Sequence, residues 1–217
     1  MKIENGSWLM PYLKTVIEQH KQTLFNWRKQ IPTQQGRIKN FENWVLVELV
    51  NKIIESDDDL EIRTNGHFTD TDQKVSVKEV ENHFSNIKDT EKKILRGSKS
   101  KAKNLSADLS IRYKEINPDT GKKFILSAEI KTCLSPLEIM DDMSIVRFYN
   151  EAGIADKSEF GWIVLLPEDK KGYESSLKTY RKIQKKIKME YPNFKLITSV
   201  ENDCDWIHFC VAVPDAK

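Results

Sequence analysis

Hydrophobic positions recur at helical spacing through the first part of the chain and alternate with polar ones further on. Between Ser7 and Lys29, the residues Trp8, Leu9, Leu13, Val16, Ile17, Leu24, Phe25 and Trp27 stand at roughly helical intervals, and Pro11 fits an early turn. A helix or helix pair is predicted there, ended by "PTQQG". In "NFENWVLVELVNKIIES", Asn40 stands at a capping position while Phe41, Trp44, Val45, Glu48, Leu49 and Ile53 repeat with helical period. So apolar a helix is expected to pack on a sheet. "LEIRTNGHF" alternates around a turn at Asn65 and Gly66 and predicts a short strand. "VKEVENHFSNIKDTEKKILR" predicts a helix with a charged outer face, and "GSKSKAKN" a mobile basic loop.

From there the period becomes two. "LSADLSIRYKEI" and "KKFILSAEIKT" read as strands joined by the turn "NPDTG", with Pro118 at its first corner and Gly121 supplying a positive φ. "SPLEIMDDMSIVRFYNEAG" predicts a helix capped by Ser135, with Pro136 in its first turn and Gly153 as its stop. "FGWIVLLP" is short and wholly apolar, as a central strand should be. The long basic helix "YESSLKTYRKIQKKIKMEYP" and the strands "KLITSV" and "WIHFCVAVP" complete the pattern.

Composition narrows this picture without naming a function. A chain of 217 residues, 39% hydrophobic and 31% charged, is of one-domain size and polar but able to fold. Its 35 basic and 33 acidic residues nearly cancel, so any affinity for a polyanion has to come from local clusters. Arg96, Lys99, Lys101 and Lys103 form one such cluster, suited to following a phosphate backbone. No apolar run is long enough to span a bilayer and no signal peptide begins the chain, so a cytoplasmic protein with no membrane partner is expected. Cys133, Cys204 and Cys210 form neither a CxxC pair nor a disulfide framework, and read as small buried hydrophobes. Phosphate-binding glycine loops and HExxH spacing are absent from the sequence, which leaves ATP, NAD and that type of zinc site unsupported.

The candidate chemistry lies on the hairpin. Side chains two apart on a strand share a face, so Glu129 and Lys131 stand together with Ser127, while Phe124, Leu126, Ala128 and Ile130 point the other way. The paired strand offers Asp108, which a tight hairpin brings near Glu129. Two carboxylates at one strand end make a hard-oxygen site for Mg²⁺ or Mn²⁺, and a nearby lysine can position water or neutralise charge developing on phosphorus. The competing reading makes the same residues a solvated strand face with a cross-strand charge that supports register.

An acid on one strand, a turn, Glu-x-Lys on the next, a Glu-bearing helix before and an α-β-α arrangement after resemble the PD-(D/E)xK nuclease superfamily, from about Gly36 to Leu166. The resemblance implies an α/β fold of restriction-endonuclease-like type: a central mixed β-sheet flanked by helices over residues 36–217, preceded by an N-terminal helical extension over 1–35. It implies a metal-dependent nuclease hydrolysing DNA phosphodiester bonds, of restriction, repair or defence type. Asp108 and Glu129 then bind Mg²⁺, for which Mn²⁺ substitutes, and Lys131 is the catalytic lysine. Glu42, or Glu48 as its substitute on the same helix, completes the metal site. A restriction enzyme that cuts both strands is normally a homodimer. Ala107 replaces the proline that gives the motif its name. The alternative is a non-catalytic DNA-binding or assembly module that keeps the fold, and the pattern is indifferent to DNA or RNA, duplex or single strand.

Overall fold

A computed structural model describes residues 3–29, 40–56, 59–65, 107–116, 123–151, 153, 155–200 and 205–215. The described elements are α1 Leu9–Gln19, α2 Lys21–Arg28, α3 Phe41–Ser56, β1 Leu60–Thr64, β2 Leu109–Ile116, β3 Lys123–Lys131, α4 Pro136–Glu151, β4 Lys157–Leu165, α5 Lys170–Glu190, β5 Phe194–Val200 and β6 Ile207–Pro214. The protein is therefore mixed α/β, with a six-stranded mixed sheet in the order β1-β2-β3-β4-β6-β5. The chain divides into two compact units: Met1–Asp57, Ile130–Ile139 and Glu159–Lys217 form the first, Asp58–Glu129 and Met140–Ser158 the second.

In the first unit, β4 pairs antiparallel with β6, and β6 with β5. Helix α1 lies against one face of β4. Its Leu9 and Leu13 come so close to Gly161 that a Cβ there would stand 2.8 Å from Leu9 Cδ2 and 3.0 Å from Ile130 Cδ1. The other face of β4 carries Trp162, whose ring lies 4.5 Å from that of Tyr180 on α5 and whose Nε1 donates to the Cys133 carbonyl at 2.8 Å. A central strand with a helix on each face must be apolar throughout, which is the pattern that "FGWIVLLP" carries.

The start of α1 is held by a buried charge. Ser7 Oγ donates to Glu159 Oε2 at 2.6 Å, and the Trp8 and Leu9 amides donate to the same carboxylate at 3.1 Å each. These are first-turn donors that a helix cannot satisfy itself, and a carboxylate suits the positive end of the helix dipole. Trp8, Leu9, Met10 and Leu13 are fully buried. In this unit residues 3–29, expected to be an extension, are continuous with the core. Trp8 belongs to that core, whereas Trp27 is half-buried.

In the second unit, β1, β2 and β3 form an antiparallel meander with Leu109 opposite Ala128 and Ile111 opposite Leu126. Arg112 on β2 donates to Glu61 on β1 at 2.9 Å and holds that carboxyl below the usual carboxylate range. The helix-stop expected at Gly153 is present, at φ +66°. The start of α4, which falls in the first unit, is capped by Ser135, whose hydroxyl accepts from the Glu138 amide at 3.4 Å. The "NPDTG" turn, the helix expected at 77–96 and the basic loop at 97–104 lie outside the described residues.

Candidate functional site

Antiparallel register builds the acidic part of the site within the second unit. Since Leu109 faces Ala128, the residue before the one, Asp108, is carried toward the residue after the other, Glu129. Asp108 lies in a bend just before β2 and not within the strand as the alternation predicted; its carbonyl accepts from the Asn65 amide at 3.1 Å. Asn65 takes up φ +52°, the turn conformation read from "TNG". Ser110 and Ser127 are buried, with their hydroxyl oxygens 3.5 Å apart, so the strip that carries the acids is polar along its length. Glu129 is only 5% exposed.

A residue that sequence reasoning passed over joins them. Tyr149, completely buried on α4, donates from its hydroxyl to Glu129 Oε1 at 3.4 Å. Burial pushes the phenol's pKa well above its ordinary value, and the negative charges of Glu129, Asp108 and Asp142 push it further. The only sequence signal for it is a phenol on the apolar face of a helix, where a buried hydroxyl needs an acceptor.

In the first unit, Lys131 ends β3. Its side chain is 13% exposed, and Nζ stands 3.5 Å from Oε1 of Glu42, in the first turn of α3. Glu48 has a different neighbour: its carboxylate is 3.1 Å from His20 Nε2, and that ring lies edge-on to Trp44. Six residues turn a helix by about 240°, so Glu42 and Glu48 do not share a face as expected, and Glu48 does not substitute for Glu42 beside Lys131. Arg96, Lys99, Lys101 and Lys103 lie outside the described residues.

The donor chemistry of Asp108 and Glu129 fits a hard dication. Both carboxylates lie in the electrostatic surroundings of one buried phenol, and carboxylate oxygens are the ligands such a cation prefers. Among the described residues, no group of three or more His, Cys, Asp or Glu side chains is drawn together as a metal site. The described cysteines, Cys133 and Cys210, are buried and form no disulfide; burial pushes the Cys210 thiol up to about 12, so it is not a thiolate. Among the described residues, no helix is long and apolar enough to cross a membrane.

Comparison with protein-family models, with curated proteins and with solved structures gives no match.

Proposed function

We propose that the protein is a metal-dependent nuclease that hydrolyses phosphodiester bonds in DNA. The observation that carries this reading is the burial of Glu129 on the strand that also holds Lys131. A solvated strand face has no need of a glutamate 5% exposed and a lysine side chain 13% exposed two residues apart. Burying such charges costs several kcal/mol unless partners compensate, and that cost is commonly borne where the charges perform chemistry.

In the proposal, Asp108 and Glu129 hold Mg²⁺. Bound there, the ion supplies Lewis-acid polarisation of the phosphate and a more acidic water. Lys131 is the cation of the pair. Held by Glu42, its ammonium orients the attacking water and offsets the negative charge that builds on the phosphoryl oxygens. Water oxygen bonds to phosphorus, the bond to the leaving sugar oxygen breaks, and the proton lost by water balances the one the leaving oxygen gains. Arg96, Lys99, Lys101 and Lys103 steer the phosphate backbone in this reading.

The test is incubation of the purified chain with supercoiled plasmid and with single-stranded DNA in Mg²⁺, Mn²⁺ or EDTA, beside Asp108→Asn and Lys131→Ala checked for folding. Cleavage that requires metal and is lost in both variants supports the assignment. Metal-independent cleavage, or cleavage that survives both substitutions, overturns it. DNA retention without cleavage in any metal favours the binding module.

A further inference from the structure

A carboxylate that binds a cation works well only when its rotation is fixed, and the group that fixes it is usually a hydrogen-bond donor behind it. Glu129 reaches the site on a strand that sets its Cα firmly, but its side chain has three rotatable bonds. The Tyr149 hydroxyl is positioned to limit them. It comes from α4, a separate element, it is completely buried, and it stands 3.4 Å from Oε1, at the long end of hydrogen-bond range. Asp142, seven residues and two turns earlier on α4, shares the helix face of Tyr149 and adds a third negative charge to its surroundings. With carboxylates around it and no solvent access, the phenol keeps its proton, so it acts as a donor to Glu129 and not as an acid or a nucleophile. A phenol buried for packing alone would serve equally well as phenylalanine.

We propose that Tyr149 is a positioning residue for Glu129: its hydroxyl holds one carboxylate oxygen and so sets the rotation in which Glu129, with Asp108, binds a divalent cation. This rests on the nuclease reading for the identity of the cation site, and it assigns Tyr149 no contact with substrate.

The experiment is Mn²⁺ titration by calorimetry of the full chain in four forms, with a thermal melt of each: wild type, Tyr149→Phe, Glu129→Asp, and the double variant. Tyr149→Phe is expected to weaken Mn²⁺ binding about tenfold, the lower end of the usual effect of removing a group behind a metal ligand. In the Glu129→Asp background the same substitution is expected to change binding less than about twofold, because a carboxylate withdrawn by one methylene is out of the hydroxyl's reach. Equal weakening in both backgrounds overturns the proposal, since it marks a packing effect that does not pass through Glu129. Unchanged Mn²⁺ affinity in Tyr149→Phe overturns it too, while leaving the nuclease reading standing. If wild type binds no Mn²⁺, both fall together. If Tyr149→Phe loses its melting transition, the hydroxyl is needed for folding itself and the positioning role is overturned.

Discussion

Glu129 and Glu159 are both strand glutamates almost without exposure, yet they compensate the buried charge in different ways. Glu159 is surrounded by donors: a serine hydroxyl and two helix-end amides, all within 3.1 Å. Glu129 is accompanied by a phenol at 3.4 Å and, in the same electrostatic neighbourhood, by the carboxylate of Asp108. Negative charges placed together away from water are expensive unless something positive joins them. The two buried glutamates differ in what surrounds them: amide and hydroxyl donors at a helix end for Glu159, a phenol and a second carboxylate, with Lys131 two residues on, for Glu129. By that criterion Glu159 is a fastening for a helix and Glu129 is the candidate for chemistry.

The comparison breaks most sharply on activity. Glu129→Gln is expected to lower plasmid cleavage by about 10³-fold, within the range lost when a group essential to proton or charge handling is removed. Its unfolding free energy in urea should move by less than about 1 kcal/mol, because loss of one charge also removes repulsion. Glu159→Gln should do the reverse. With two amides and a hydroxyl facing a weaker acceptor, stability should fall by about 2–3 kcal/mol, while cleavage well below the melting temperature stays within about twofold. If the two variants behave alike, the distinction is void.

Gly161→Ala sharpens the contrast by disturbing the seat of α1 without touching a charge. Its new methyl would meet the buried Leu9 at 2.8 Å, and overpacking of this kind is expected to cost about 1–2 kcal/mol, again with activity retained. The smallest effect is with pH and sets the background for titrating the carboxylates. Burial, with Arg181 nearby, pushes the His208 pKa below its ordinary value despite a contact of 3.0 Å to the Asp205 carbonyl. The unfolded chain therefore binds this proton more readily than the folded one, so the contribution of His208 is full above about pH 6.5 and is lost as pH falls through the lowered folded value. Melting temperature should decline on acidification below that point, and His208→Gln should flatten the decline.

Local spacing explains what the sequence disclosed. Alternation puts Ser127, Glu129 and Lys131 on one side of β3, and a hairpin brings the acid before β2 toward Glu129; both follow from neighbours in the chain. Period 3.6 likewise revealed α1, α2 and α3, and the apolar run of β4 announced a strand covered on both faces. The partners of Glu159 lie about 150 residues away, so no window of sequence contains them. Tyr149 was hidden for a related reason: a helix pattern shows that a phenol is on the apolar face, but only packing shows that its hydroxyl ends at a carboxylate. The full burial of Trp8 was not legible either, because periodicity detects a helix and cannot tell how much of its circumference is covered. Glu48, offered as a substitute on the same helix, is turned away from Glu42 and meets His20, a partner that spacing along α3 does not reveal.

The fastening of α1 also bears on how the protein is made. Ser7, Trp8 and Leu9 leave the ribosome well before the carboxylate that completes their helix end, which follows 152 residues after Ser7. At synthesis rates of about 5–20 residues per second, the interval is roughly 8–30 s. During that time the nascent segment holds Leu9, Leu13 and Ile17 with no strand to cover them, a natural client for a chaperone that waits at the tunnel exit. Docking of α1 on β4 has to wait until β4 is made, and truncation ahead of β4 would leave Leu9, Leu13 and Ile17 uncovered.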